Sequence, residues 1–299
     1  MKNSIIIAGL LSLALISCDV VNAPYEKNPK DPSDTLLKDT STTITRTASL
    51  QNVFLEDYTG QLCGNCPEAA DIADRLYKNN GGRVVVTAIH AGLFAKKELP
   101  DYDYDFTTPT GDALDAAFKI SRAGNPNGMV NRVTINNRMI QGHPTWETVV
   151  AQQLQRTPAL DLGMSHTYYP ETKTLVVTVR TEALADIDAP ANVSVWLQEN
   201  DIIADQKDYR KTPSHIKDYN FSHVLRASLN GTWGDTLHNA PVTKGTKSTM
   251  VFRYTLPEAK LNPADTLNYW NLKNFEIVAF AHKASTNKEV LQVVKQKLK

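Results

Sequence analysis

Only three cysteines occur in the chain, and two of them stand two residues apart in the stretch GQLCGNCPEAA. That pair, Cys63 and Cys66, constrains the fold through what flanks it. The run VFLEDYT precedes it and reads as a short strand. PEAADIADRLYKNN follows, with Ala69, Ile72, Ala73 and Leu76 recurring at helical spacing. Pro67 suits a first helical turn, Glu68 and Asp71 favour the positive end of the helix dipole, and Gly81-Gly82 stops the helix. RVVVTAIHAG is then a continuous β-branched run, as in a strand buried on both faces. The order strand, CxxC, helix, buried strand is a βαβ unit with the cysteines at the helix N-terminus.

The third cysteine has a different setting. The chain opens MKNSIIIAGLLSLALISC, with Lys2 as a positive start and an apolar stretch over residues 5–16. This reads as a secretory signal peptide, too short for a membrane-spanning helix and followed by polar chain. Its end, Leu15-Ile16-Ser17-Cys18, resembles the bacterial lipobox. The resemblance implies that residues 1–17 are removed and that Cys18 becomes the lipid-modified first residue. The alternative is an ordinary signal peptide that contains a cysteine. With Cys18 lipidated, Cys63 and Cys66 have no disulfide partner but each other, in an envelope compartment where disulfides persist. Residues 18–48 are polar and rich in Asp, Pro, Lys, Ser and Thr. They read as a flexible tether with a span of about 30 Å, an N-terminal strand arm being open only near residues 41–49.

The 299 residues are 41% hydrophobic and 21% charged, as in a soluble globular protein, which allows two domains behind the tether. Basic and acidic residues number 32 each, so the chain lacks a nucleic-acid footprint or a polybasic membrane patch. Residues 93–110 form a polar and aromatic loop. GDALDAAFKIS reads as a short helix, AGNPNGMVNRVTINNRMIQG as a turn and β-hairpin, and PTWETVVAQQLQR as an amphipathic helix. After Pro158 helical periodicity nearly vanishes. Short runs such as TKTLVVTVRT and KSTMVFRYTL alternate with period two, with Leu175, Val177 and Val179 on one face and Thr174, Thr178 and Arg180 on the other. Turn-rich segments such as Asn230-Gly231 separate them. The expected fold is an α/β domain over residues 49–158, then an all-β immunoglobulin-like sandwich of about seven strands over residues 159–299.

CxxC beside a βαβ pattern resembles the thioredoxin superfamily. Two more features carry that resemblance. Asn125-Pro126 precedes the strand-like GMVNRV, where the superfamily has a cis-proline beside its cysteines, and Asp57 stands six residues before Cys63, where thioredoxins have a buried acid. The resemblance implies that Cys63 is the attacking thiolate, Cys66 the resolving thiol, Pro126 the residue that presents substrate backbone, and Asp57 a proton acceptor. A water-facing or capping Asp57 is the equal alternative. Leu62, Pro67 and the Gly64-Asn65 dipeptide depart from the usual Trp, basic residue and Gly-Pro. They leave the redox potential and partner open, because these positions tune thiolate stability.

Other chemistries have weaker signals. Structural zinc wants four ligands, and here no second CxxC exists, only the scattered His90 and His143. His90 reads as a satisfied histidine at a strand end. The pair is not CxxCH, which excludes covalent haem there, so neither metal nor cofactor is expected. Asp101, Asp103 and Asp105 alternate with Tyr102, Tyr104 and Phe106, but Phe106 stands where a calcium loop needs glycine. That segment reads as a solvated loop with aromatic anchors. Residues 205–226 hold His215, Asp218, His223 and Arg226, and could serve function or seal a domain interface.

Lipobox, tether, EDYTGQLCGNCP, VVVTAIHAG, NPNGMVNR and a sandwich carrying SHVLRASLNGTWGD together resemble outer-membrane lipoproteins of Bacteroidetes-type bacteria, related to a small outer-membrane antigen and adhesin. The resemblance implies an outer-membrane location, periplasmic or surface-exposed, with membrane attachment through Cys18. Two functions follow as expectations. One is thiol–disulfide exchange with a protein partner in the envelope. The other is a surface adhesin or binding protein in which the Cys63–Cys66 disulfide is only structural.

Overall fold

The computed structural model describes residues 45–47, 50–239, 241–265, 269–284 and 288–298. Cys18, the expected signal peptide and most of the expected tether lie outside the described residues. The tether's last residues do not behave as free chain. Thr45–Arg46 form a short strand, β1.

Strand β2 (Val53–Thr59) is buried along its whole length. Helix α1 (Cys66–Asn79) starts at the second cysteine and carries Pro67 in its first turn, where no N–H partner is needed. Its small and apolar Ala69, Ala73 and Leu76 form the buried stripe. Strand β3 (Val84–His90) pairs in parallel with β2, from Val53 opposite Val84 to Thr59 opposite His90. Helix α2 (Pro109–Phe118) is capped by Thr108, whose hydroxyl accepts from Gly111 N at 3.0 Å. Strand β4 (Asn127–Val130) runs antiparallel to β2, and β5 (Gln141–Gly142) closes a hairpin with it. Helix α3 (Trp146–Leu154) ends this half.

Ten strands follow: β6 (Leu160–Tyr169), β7 (Thr174–Ala183), β8 (Ala191–Glu199), β9 (Ile202–Lys207), β10 (His215–Phe221), β11 (Val224–Ser228), β12 (Asp235–His238), β13 (Lys247–Thr255), β14 (Phe275–Lys283) and β15 (Val290–Lys297). The sequence reading expects about seven. The surplus is β9 and β10, which form their own two-stranded sheet, and β12. HIKDYNF in β10 is mostly polar and largely outside the core, so it lacks the apolar alternation that marks a strand. Asn230-Gly231 joins no hairpin. β11 and β12 lie end to end along one edge of β8, and the Asn230 side chain fills the gap in the ladder, accepting from Val195 N and donating to Val193 O.

The described chain is mostly β-sheet with few helices. One sheet has the order β1-β6-β7-β13, and a larger one the order β15-β14-β8-β11-β3-β2-β4-β5. The two pack face to face through Leu162, Val177 and Val179 from one side and Val195, Leu197 and Ile277 from the other. This is the sandwich. The larger sheet does not stop at the expected boundary between residues 158 and 159. β11 pairs in parallel with β3 at Val224 and Ala88, so strands of both halves share one sheet, and the described residues form a single compact unit. A sequence reading by texture separates the halves because α-rich and β-rich segments differ in period; backbone pairing between them leaves no such trace.

Beyond the sandwich, α1 and α3 cover Val53, Leu55 and Val86 on one face of the β2–β3–β4 region. The opposite face carries Phe54, Ile89, Trp196 and Phe280, with Leu114 of α2. Glu56 points into this second cluster and meets Arg132 in two hydrogen bonds of 2.7 Å, both side chains fully buried. The Arg132 guanidinium lies 5.3 Å from the Phe118 ring and 5.4 Å from that of Phe280. Removing one partner strands a buried charge, so Glu56→Gln or Arg132→Met should each cost about 3–5 kcal/mol in urea unfolding. The double variant Glu56→Leu/Arg132→Met should recover most of that loss.

Candidate functional site

The loop from Gly60 to Asn65 joins the end of β2 to the start of α1, and backbone contacts fix its path. Leu62 N donates to Phe94 O at 2.9 Å, and the Gln61 side chain donates to Lys96 O and Tyr104 O at 3.0 Å each. At Gly60 a Cβ would lie 2.3 Å from the Phe94 carbonyl, so only glycine allows this approach. Cys63 and Cys66 are joined in a disulfide, with sulfurs 2.06 Å apart. The second sulfur stands at the first turn of α1, where unpaired N–H groups and the helix dipole favour negative charge.

Both cysteines are closed off from solvent, at 3% and 2% exposure. The cover is the β9–β10 hairpin, from the half that the sequence reading sets apart as a separate domain. Lys207 N donates to Gln61 O at 2.9 Å, Tyr209 N to Gly64 O at 2.8 Å, and Gln206 Nε2 to Cys63 O at 3.1 Å. The Tyr209 ring lies directly on Gly64, where a Cβ would be 2.6 Å from its carbons. Arg210 reaches Asp71 of α1 at 2.7 Å and is braced by Asp208. Gln206, Tyr209 and Arg210 are thus site residues that the CxxC signal does not point to. Their only trace in the sequence is membership of the long polar stretch 205–226.

Behind the disulfide a cavity of about 40 Å³ is lined by Asp57, Cys66, Pro67, His90, Tyr219 and Phe221, among others. Asp57 is buried, with no hydrogen-bond partner for Oδ1 among the described residues. Burial pushes its carboxyl up to about 7. It neither caps nor faces water. Its neighbour Glu56 points the other way, since adjacent strand residues alternate faces. His90 stacks on Phe106 at 4.5 Å and meets Phe221 edge-on at 5.6 Å. Among the described residues neither ring nitrogen has a hydrogen-bond partner, so it is not the satisfied strand-end histidine that the sequence suggests. Burial, and then the Arg226 charge, lower its pKa to about 3. Its neutral ring packs as an aromatic.

The Asn125–Pro126 bond is cis, and Pro126 precedes β4 at the sheet edge where β2 ends, Asn127 being opposite Tyr58. His143 stands apart, against Trp146 with ring centres 6.3 Å apart. Tyr102, Tyr104 and Phe106 are buried anchors, while Asp101 and Asp105 face solvent. The four residues singled out in 205–226 make separate contacts. His215 hydrogen-bonds Asp205 on the hairpin, and Asp218 is exposed. Arg226 pairs with Glu199 at 3.2 Å and donates to Tyr104 Oη at 2.9 Å. His223 lines a different cavity.

Comparison with known proteins bears on this architecture. The family model described as outer membrane protein Omp28 matches residues 111–299. The chain belongs to the Omp28 outer-membrane protein family. The matched part contains the capping hairpin and strands β6 to β15, and the CxxC segment precedes it. Among solved structures, HBP35 of Porphyromonas gingivalis is similar in fold. It is 17% identical with a TM-score of 0.62, over 84% of this chain and 76% of that one. A structural-genomics protein of Agrobacterium tumefaciens is 12% identical with a TM-score of 0.47, over 82% of this chain and 93% of that one. No curated protein sequence matches this chain.

Two outcomes follow for this Omp28-family chain. Because the folded carboxyl of Asp57 holds its proton up to about pH 7, the folded state binds more protons than the unfolded one between about pH 4 and 7. Stability from this group therefore falls as pH rises through that window and is level above it. Asp57→Asn should stabilise the protein by up to about 4 kcal/mol at pH 8 and change little at pH 4, measured by urea unfolding. Secondly, loosening the cap should expose the sulfurs. Tyr209→Ala/Arg210→Ala should speed reduction by a phosphine about three- to tenfold, read by thiol labelling.

Proposed function

We propose that this protein carries out thiol–disulfide exchange in the cell envelope, with residues 49–158 as a thioredoxin-like redox module, anchored in the outer membrane through lipid on Cys18. The observation that carries the reading is Asp57: a buried carboxyl with no partner for Oδ1, lining the cavity behind Cys66. A structural staple has no use for such a group, which destabilises the fold when ionised. A group that holds a proton near neutral pH is what a buried sulfur needs when it leaves or attacks.

In this reading the hairpin first opens. A client thiolate attacks the Cys63 sulfur and the S–S bond breaks. The electron pair leaves on the Cys66 sulfur, which takes the proton from Asp57. A second client thiolate then attacks the client sulfur of the mixed disulfide. The client leaves oxidised, and both cysteines remain reduced. Run backwards, Cys63 attacks a client disulfide, Asp57 accepts the Cys66 proton, and Cys66 resolves the mixed disulfide. Pro126, at the same sheet edge, presents the client backbone.

A second reading has its own observation. Hydrogen bonds from Gln206, Lys207 and Tyr209 of the hairpin seal the pair, which suits a surface adhesin or binding protein whose disulfide only holds the loop. One experiment separates the two. Cys66→Ser should trap mixed disulfides with envelope proteins through Cys63, and the unaltered chain should reduce insulin at least tenfold faster than Cys63→Ser. Activity equal to that of Cys63→Ser, with no trapped species, would leave the binding reading.

A further inference from the structure

A cavity of about 600 Å³ opens beside α1, between that helix and the strands of the larger sheet. Its volume lies within the roughly 300–1,000 Å³ of small-molecule sites. Asp57 lines it, and this cavity shares Asp57, Ala70, Ala88, Tyr219 and Ser222 with the small one behind the disulfide.

The floor is built around His223. That residue is 7% exposed, yet neither ring nitrogen has a hydrogen-bond partner among the described residues. Its backbone is fixed on both sides: its N–H donates to Asn200 Oδ1 at 2.8 Å, and its carbonyl accepts from Ala88 N at 2.8 Å. φ is +60°, in the left-handed region. The ring lies 4.7 Å from the Tyr77 ring, and Nδ1 is 4.0 Å from the Glu276 carboxylate. Buried and neutral, it offers one donor and one acceptor to whatever fills the cavity.

The walls determine the ligand class. Asp71 is paired with Arg210 at 2.7 Å, Asp74 with Lys78 at 2.6 Å and Glu276 with Lys295 at 2.5 Å. Those carboxylates are already compensated, so a cation gains little there, and an anion would meet Asp71, Asp74, Asp201 and Glu276 as well as the cationic Lys78 and Lys297. Between them stand uncharged donors and acceptors: Asn200, Asn220, Asn274 and Ser222. The rings of Tyr77 and Tyr219 add apolar surface with a polar rim. Alternating donors and acceptors, near charge balance and aromatic walls fit a neutral polyhydroxylated molecule. We propose that this cavity binds a small neutral saccharide, with His223 hydrogen-bonding its hydroxyls and Tyr77 and Tyr219 against its ring.

The test uses the full chain in a detergent without a sugar head group. Glucose, galactose, N-acetylglucosamine and maltose are titrated by ligand-observed NMR. At least one should bind saturably with a dissociation constant of about 1 mM or tighter, changing less than twofold between 50 and 500 mM salt. His223→Asn keeps a residue tolerated at positive φ and should weaken binding at least tenfold. Ala70→Trp fills the cavity from α1 and should abolish binding. Asp201→Asn, an exposed position, should weaken it severalfold with no change in thermal unfolding. Absence of saturable binding by all four sugars overturns the proposal. So does binding that survives Ala70→Trp, or binding by spermidine or phosphate alone with steep salt dependence.

Discussion

The site depends on a short parallel contact between β3 and β11. Val224 lies opposite Ala88, and Ala88 N donates to His223 O at 2.8 Å. Through it the larger sheet passes from one half of the chain to the other. It also fixes the height at which β10 ends and β11 begins. The hairpin before that point therefore reaches the CxxC loop, and His223 stands over the helix that starts at Cys66. Cover, disulfide and cavity share one registration.

Polar groups follow the same geometry. Glu56 and Asp57 are neighbours on a fully buried strand and point to opposite faces. Glu56 finds Arg132 and becomes half of a buried ion pair that links β2 to the aromatic cluster of Phe118 and Phe280. Asp57 finds no cation among the described residues and keeps its proton to about pH 7. Two adjacent acidic residues thus meet different surroundings, because one face of the sheet supplies a guanidinium and the other supplies sulfur and apolar groups.

The family match covers residues 111–299, so it describes the scaffold that carries the cover rather than the cysteines. HBP35 is similar in fold over a longer stretch, 84% of this chain. The matched region includes the hairpin that seals the disulfide. Any chemistry at Cys63 is then governed by the hairpin as much as by the helix dipole, because an attacking thiolate needs a line of approach to sulfur.

What was legible in the sequence was local. The buried β3, the helix after the cysteines and the facing of Leu175, Val177 and Val179 all follow from short-range periodicity and from the steric preferences of β-branched residues, proline and glycine. The lone CxxC also limited the disulfide to one pairing once Cys18 was set aside. Tertiary structure decided the rest. Texture alone separates the halves at residue 158, but a sheet pairs backbones, and backbone hydrogen bonds between distant strands do not depend on side-chain pattern. β10 escaped notice because most of its side chains lie outside the core. Asp57 was an open choice between capping, solvent and burial until the hairpin and α1 closed over it. The loss of water there, a property of the assembled fold, raises its pKa.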